Sequence, residues 1–406
     1  MTWRLPERSP TARQIYAEAE RDRLENPHRY RFDADRVGER ATRGGKHSPA
    51  LFADGWASAL EEFLGSAHQD GRLNAVGIRM ALDSAAGRLT AGARIAQCYN
   101  DDPALHDVEM APPIVIIGGW RTGTTFLFRL LNTDPRLHAP LPAELVAPWR
   151  FVGPERPATA AAAGPASELL HTLNPAMAVV HPSGPTLPEE CVLGMGTDLR
   201  NWGFTSMMRL PSYADWLAAQ DFTGTYARYR EVLQLLTAGD PRRLVLKAPA
   251  HTAELDHLID TFPGLVVVQI HRDIVATLTS GASLFAVYRA TYSDDVDPFE
   301  VGRQQVAQSE LWFRRAVEVR RQTAATFVDI DYRELTAAPA TVVADIYGAA
   351  GLAPPEDLPA FVDSYQRSHP RDAAGQHRYT SEQFGIVADE VRERFAFLDE
   401  LSSSRP

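Results

Sequence analysis

Lysine is nearly absent from this 406-residue chain: of its 41 Lys+Arg residues only Lys46 and Lys247 are lysines. Cysteine is as scarce. Cys98 and Cys191 cannot build a disulfide framework, and such sparse usage fits a reducing compartment. Excess positive charge is missing too. The formal net charge is −11 and the isoelectric point about 5.6, which argues against a nucleic-acid partner, because phosphate backbones are held by basic faces. No apolar run approaches the roughly 18–20 residues of a membrane span. The opening stretch MTWRLPERSP carries charges throughout instead of an apolar signal core. Together these absences lead to the expectation of a soluble, cytoplasmic protein without a transmembrane segment. What is present is ordinary globular composition, 45% hydrophobic and 23% charged, in a length that suits one large or two modest domains.

Residues 1–110 read as helical and polar. ARQIYAEAERDRLEN and LFADGWASALEEFLGSA place apolar residues at helical spacing among charges. The pattern changes after Met110-Ala-Pro-Pro113. Ile114–Ile117 is a short β-branched run of the kind buried in parallel sheets. A glycine-rich turn and an apolar helix through Phe126–Leu131 follow it. Residues 155–166 (ERPATAAAAGPA) are of low complexity and read as a surface loop or frayed helix. Residues 167–240 look mostly helical. The strand–helix alternation resumes at Leu244–Leu246, Leu265–Ile270 and Phe327–Ile330. The expected fold class is therefore α/β: a P-loop-type parallel sheet covered by helices on both faces, with a helical N-terminal extension. The expected divisions are an extension over 1–110, an α/β domain over 111–390 with a helical insertion at about 150–240, and a tail over 391–406.

Gly118-Gly-Trp-Arg-Thr-Gly123-Thr-Thr125 lies between strand and helix, where successive N–H groups and a helix N-terminus together cradle an anion. Its frame is that of a P-loop whose lysine has become Thr124, which argues against an ordinary ATPase or GTPase. Arg121 supplies a cation inside the loop instead, and its fork suits a planar, multiply bonded anion. Arg272 follows a buried strand directly, where packing offers an arginine no reason to be. Ser280 lies two helical turns beyond it. The pair reads either as a second phosphate site or as an ion pair with Asp273 beside a merely packed serine. Lys247, at a strand end in an arginine-dominated chain, suggests a required compact point charge.

On these residues the chain resembles sulfotransferases that use 3′-phosphoadenosine-5′-phosphosulfate (PAPS), in a bacterial branch. Arg121-Thr122-Gly123-Thr124-Thr125 resembles the family's 5′-phosphosulfate loop. His271-Arg272-Asp273 with Ser280 resembles its 3′-phosphate site. Tyr332-Arg-Glu-Leu335 resembles its fourth-strand signature, and His377-Arg378-Tyr379 through Gly385 the C-terminal motif of that branch. Gly119-Trp120 departs from the pattern, which usually has a leucine or another residue and then proline before the arginine.

The resemblance implies PAPS as donor, adenosine 3′,5′-bisphosphate as product, no required metal, and a small-molecule, lipid or sugar hydroxyl as acceptor; a homodimer is a further expectation. It implies cofactor contacts by Arg121, Thr122, Gly123, Thr124, Thr125, Arg272, Ser280, Tyr332, His377, Arg378 and Tyr379. It also implies leaving-group stabilisation by Lys247 with Arg121, and a base at Glu144, 23 residues past Arg121, as in tyrosylprotein-type sulfotransferases. His251 is the reserve base. Glu189 and Glu190 read as acceptor-pocket carboxylates or, more blandly, as a helix N-terminal pair. The apolar stretch Trp202–Trp216 reads as cleft lining or as core. Two rival readings remain: a small-molecule kinase using ATP with arginine in place of the P-loop lysine, and a non-catalytic, nucleotide-gated interaction protein.

Overall fold

A computed structural model describes residues 2–43, 48–152, 168–370 and 378–399. The low-complexity run 155–166 and His377 lie outside the described residues. Five strands form one parallel sheet: β1 (Ile114–Gly118), β2 (Leu137–His138), β3 (Arg243–Lys247), β4 (Val266–His271) and β5 (Thr326–Asp331). Their spatial order is β2-β3-β1-β4-β5. β1 is central, with Ile116 in register with Lys247 on one side and Val268 on the other. β2 is the strand that periodicity misses. Its two residues are too short for a period, and they become a strand only by pairing with Arg243 and Leu244.

Strand residues alternate between two apolar cores, so both faces are covered. Ile114, Ile116, Val245, Val266 and Val268 join one core with Leu127, Phe128, Val343 and Ile346. Val115, Ile117, Leu246 and Val267 join the other with Leu89, Leu233, Leu258, Leu278 and Phe285. The helices Pro10–Glu25, Ala34–Arg43, Trp56–Gln69 and Ala75–Asp101 precede the sheet, and Ala59, Phe63, Ala85 and Leu89 from them share the second core. The helices over 34–101 are thus fused to the sheet through one continuous apolar interior, while Pro10–Glu25 buries Ala12, Tyr16 and Ala19 in a smaller cluster with Tyr30, Val76 and Leu173. Past residue 390 the chain still packs: Val391 and Phe395 are buried in the same core.

Candidate active site

The loop after β1 has the backbone geometry in which a helix N-terminus can hold an anion. Gly123 adopts φ +88° and precedes the helix Thr124–Leu131, a left-handed turn that glycine takes without a Cβ clash. A Cβ there would meet Leu335 at 2.7 Å and the Tyr332 ring at 3.5 Å. The first-turn N–H groups of such a helix have no intrahelical acceptor and face the loop's mouth. Thr122 is buried, and its hydroxyl donates to the Gly119 carbonyl at 2.8 Å. Arg121 is exposed and itself holds φ +60°, a conformation that costs a non-glycine residue about 1–2 kcal/mol.

Part of that cost is offset from the neighbouring strand end. Arg272, just beyond β4, donates from Nη1 to the Arg121 carbonyl at 2.6 Å. Its guanidinium lies 4.5 Å from the centre of the Tyr332 ring. Asp273 does not pair with Arg272. Its carboxylate caps the helix Ile274–Tyr292, accepting from the Ala276 N–H at 2.8 Å. Ser280 is buried on that helix and receives the Tyr379 hydroxyl at 2.6 Å. Fold and side chains therefore gather the Arg121 loop, Arg272 and Tyr332 at one sheet edge, and Ser280 is joined to Tyr379. Arg378 is exposed next to Tyr379.

Lys247, the last residue of β3, is buried. Nζ donates to Glu190 Oε1 at 2.6 Å and lies 3.4 Å from the Thr125 hydroxyl. A cleft of about 580 Å³ opens beside this pair, with Glu189, Glu190, His181 and Ser183 among its polar lining. The remaining wall is mostly apolar and includes Trp120, Val146, Phe151, Leu170, Trp202, Met207, Phe285 and Trp312. The stretch Trp202–Trp216 is thus divided: Trp202 and Met207 line the cleft, while Met208, Leu210 and Tyr213 are core.

Glu189 and His181 form a second pair, Oε2 to Nε2 at 3.1 Å. Burial alone would raise the Glu189 carboxyl, yet the His181 imidazolium, Lys247 and the Glu190 N–H outweigh it and bring it down to about 2. His181 moves up: burial works against its charge, but Glu189 and then Glu190 prevail over burial and Lys247. The turn carrying both glutamates is fixed from the N-terminal helix Ala75–Asp101. Arg88 donates to the carbonyls of Leu193 at 2.6 Å and Val192 at 3.0 Å, and burial lowers its pKa to about 10. Sequence reasoning missed Arg88, for one arginine among 39 carries no signal of its own.

The two residues expected as bases, Glu144 and His251, are both buried off the cleft lining. Glu144 is buried and turned into the fold, not toward the cleft: Oε2 accepts from the Leu141 N–H at 2.8 Å and lies 2.9 Å from His138 Nε2. It closes a capping box on the helix Pro142–Val146, whose Pro142, Ala143 and Val146 do reach the cleft. His251 is sealed among Tyr226 and Tyr229, with Nδ1 at 2.8 Å from the Tyr226 hydroxyl. Burial holds its pKa at about 3, and it does not line the cleft. Elsewhere, ligand atoms of Glu254, Asp256 and His257 lie within 4.8 Å of one another. Glu254 Oε1 is already held there by Trp202 Nε1 at 2.9 Å and Arg315 Nη1 at 2.8 Å.

Residues 112–356 match the sulfotransferase family. The chain belongs to that family. Among characterised relatives, it is 24% identical over 304 residues to Stf3 of Mycobacterium bovis, an omega-hydroxy-beta-dihydromenaquinone-9 sulfotransferase. That alignment covers 70% of this sulfotransferase and 75% of the relative. The Stf3 of Mycobacterium tuberculosis matches equally. Among solved structures, the sulfotransferase STF1 from M. tuberculosis superposes with a TM-score of 0.76 at 28% identity, covering 90% of this chain and 98% of that one. STF9 from Mycobacterium avium gives 0.79 at 22% identity, covering 91% and 97%, a likeness of fold.

Proposed function

We propose that this sulfotransferase moves the sulfuryl group of PAPS in line onto a hydroxyl of a small-molecule, lipid or sugar acceptor. The mostly apolar cleft favours an acceptor with a greasy skeleton, and a relative named for a menaquinone derivative is consistent with that. Arg121 and the N–H groups of Gly123, Thr124 and Thr125 take the 5′-phosphosulfate, with Thr122 bracing the loop. Arg272, Ser280 and Tyr379 take the 3′-phosphate, Tyr332 stacks beneath Arg272, and Arg378 adds charge next to Tyr379. Glu190 takes the base role expected of Glu144. As the S–O bond to the phosphate breaks and the acceptor oxygen bonds to sulfur, the hydroxyl proton passes to the Glu190 carboxylate. Lys247 and Arg121 meet the charge developing on the leaving phosphate. The products are a sulfate ester and adenosine 3′,5′-bisphosphate.

One observation carries this reading. Lys247 touches both Glu190, which lines the cleft, and Thr125 of the glycine loop, and this contact supports an acid–base pair between the proposed donor and acceptor sites. Cytoplasmic placement and homodimerisation belong to the same proposal; no helix among the described residues is long and apolar enough to cross a membrane. The kinase alternative needs a strand-end aspartate for magnesium, and Asp273 is committed to its helix cap. Calorimetry with adenosine 3′,5′-bisphosphate against ATP–Mg²⁺, followed by ³⁵S transfer from PAPS over acceptor classes, tests the reading. Preference for ATP–Mg²⁺, or transfer to no hydroxyl, would overturn it.

A further inference from the structure

We infer that Trp120 selects the acceptor: it makes the cleft wall next to the donor loop an aromatic surface that accepts only a hydroxyl borne on an apolar carbon skeleton. The inference rests on the sulfuryl-transfer reading and adds the acceptor class and the residue that sets it. Trp120 immediately precedes Arg121, in the position where the sequence departs from the family pattern. A tryptophan in an anion loop has no phosphate to bind, so its reason lies elsewhere.

The structure supplies that reason. Trp120 is buried and stacks on Trp312, with ring centres 5.5 Å apart and planes at 30°. It meets Phe285 edge-on at 5.2 Å, and Trp312 continues the array to Trp202 at 5.6 Å. All four rings line the cleft. Helix Ile274–Tyr292 leaves room for the indole at Gly281, where a Cβ would stand 3.1 Å from Trp120 and 2.5 Å from Gln305. Even alanine at position 281 would press on the wall. One residue thus belongs to the donor loop by its backbone and to the acceptor wall by its side chain.

Glu190 and the aromatic array line the same cleft, so an acceptor whose hydroxyl reaches Glu190 meets these rings with the rest of its skeleton. Apolar carbons there exchange water for ring contact and gain free energy. The extra hydroxyls of a polyol would lose their water against the faces of these rings, which accept no ordinary hydrogen bond, and each one left unpaired costs a tenfold factor or more. The wall therefore selects by the skeleton that carries the reacting hydroxyl.

The test uses the whole chain saturated with adenosine 3′,5′-bisphosphate, with geraniol as an apolar alcohol and glucose as a polyol of similar size, both read by calorimetry. The wild type should bind geraniol and not glucose. Trp120→Leu should weaken geraniol about tenfold, the order for some 60 Å² of lost apolar contact, and keep nucleotide affinity within about threefold. Trp120→Phe should stay near wild type for both. Trp312→Leu trims the same wall from a distant helix and should reproduce the geraniol-selective loss, which covers the case of a Trp120→Leu protein that does not fold. Three results overturn the inference: no geraniol binding by the wild type, unchanged geraniol binding in both leucine variants, or nucleotide and geraniol affinity falling together. Failure of the underlying sulfuryl-transfer reading looks different, since it appears as absent ³⁵S transfer even where geraniol discrimination is intact.

Discussion

Glu190→Gln separates the charge pair at the junction of the two sites. In the wild type, Lys247 has a side chain only 3% exposed and a carboxylate 2.6 Å away, while the Glu190 side chain is 24% exposed. Removing one member of a buried pair strands the other charge at about 3–5 kcal/mol. Partial exposure of Glu190 lets water reach the junction, so about 2–3 kcal/mol is expected here. With an unfolding entropy of about 2.1 cal/mol/K per residue over a chain this long, that lowers Tm by about 3 °C. The same change removes the proposed base, worth about 10²–10⁴ in turnover. Glu190→Gln should therefore lose at least about a hundredfold in kcat and keep its affinity for adenosine 3′,5′-bisphosphate. Adding Lys247→Met removes the stranded charge, so the double variant should regain most of the lost Tm and none of the turnover. Calorimetric melting and ³⁵S transfer read the two effects apart. Turnover in Glu190→Gln within tenfold of wild type would refute the role assigned to this carboxylate.

Arg272→Ala should weaken adenosine 3′,5′-bisphosphate about a hundredfold by calorimetry. It removes charge-assisted bonds to a phosphate and also the 2.6 Å bond that pins the Arg121 carbonyl. Arg272→Lys should recover little, since an ammonium lacks the fork that reaches both partners, and full recovery would contradict this. Glu144→Ala deletes a helix cap, so it should lower stability by about 1–2 kcal/mol while turnover stays within a few-fold; a hundredfold loss of kcat in a fully stable variant would return the base to Glu144. For the His181–Glu189 pair the sign is fixed by the shifts. The His181 contribution is fully present below its unfolded value of 6.5 and is lost as pH rises through its higher folded pKa. That of Glu189 is present above 4.5 and is lost as pH falls through about 2. NMR titration of the His181 ring should give a midpoint above 6.5 that falls on Glu189→Gln, and a wild-type midpoint at or below 6.5 would refute the pair.

The glycine loop was legible in the sequence because one contiguous segment builds it. A β-branched strand, a glycine turn with Arg121 and an apolar helix follow one another within Ile114–Leu131, and local sterics dictate what such a segment becomes. Four of the five strands announced themselves by short apolar or β-branched stretches between helices, and Lys247 stood out by its rarity. Neighbouring strands of a parallel sheet then bring Arg272 and Lys247 to the same edge.

The lining of the cleft was not legible. Glu144 and Glu190 are both glutamates close behind a proline, and nothing in their neighbours tells which carboxylate turns inward to cap a helix and which meets Lys247. Arg88 acts from 104 residues before Val192, a distance no local pattern spans, and His251 looked reactive until its burial between two tyrosines was known. Local backbone chemistry is written in consecutive residues, so composition and spacing determined four of the strands, the glycine loop and the net negative charge. Which side chains share a cleft depends on how separate helices pack. Only the tertiary structure decided that Trp120 would join Trp312 and that Glu190 would stand beside Lys247.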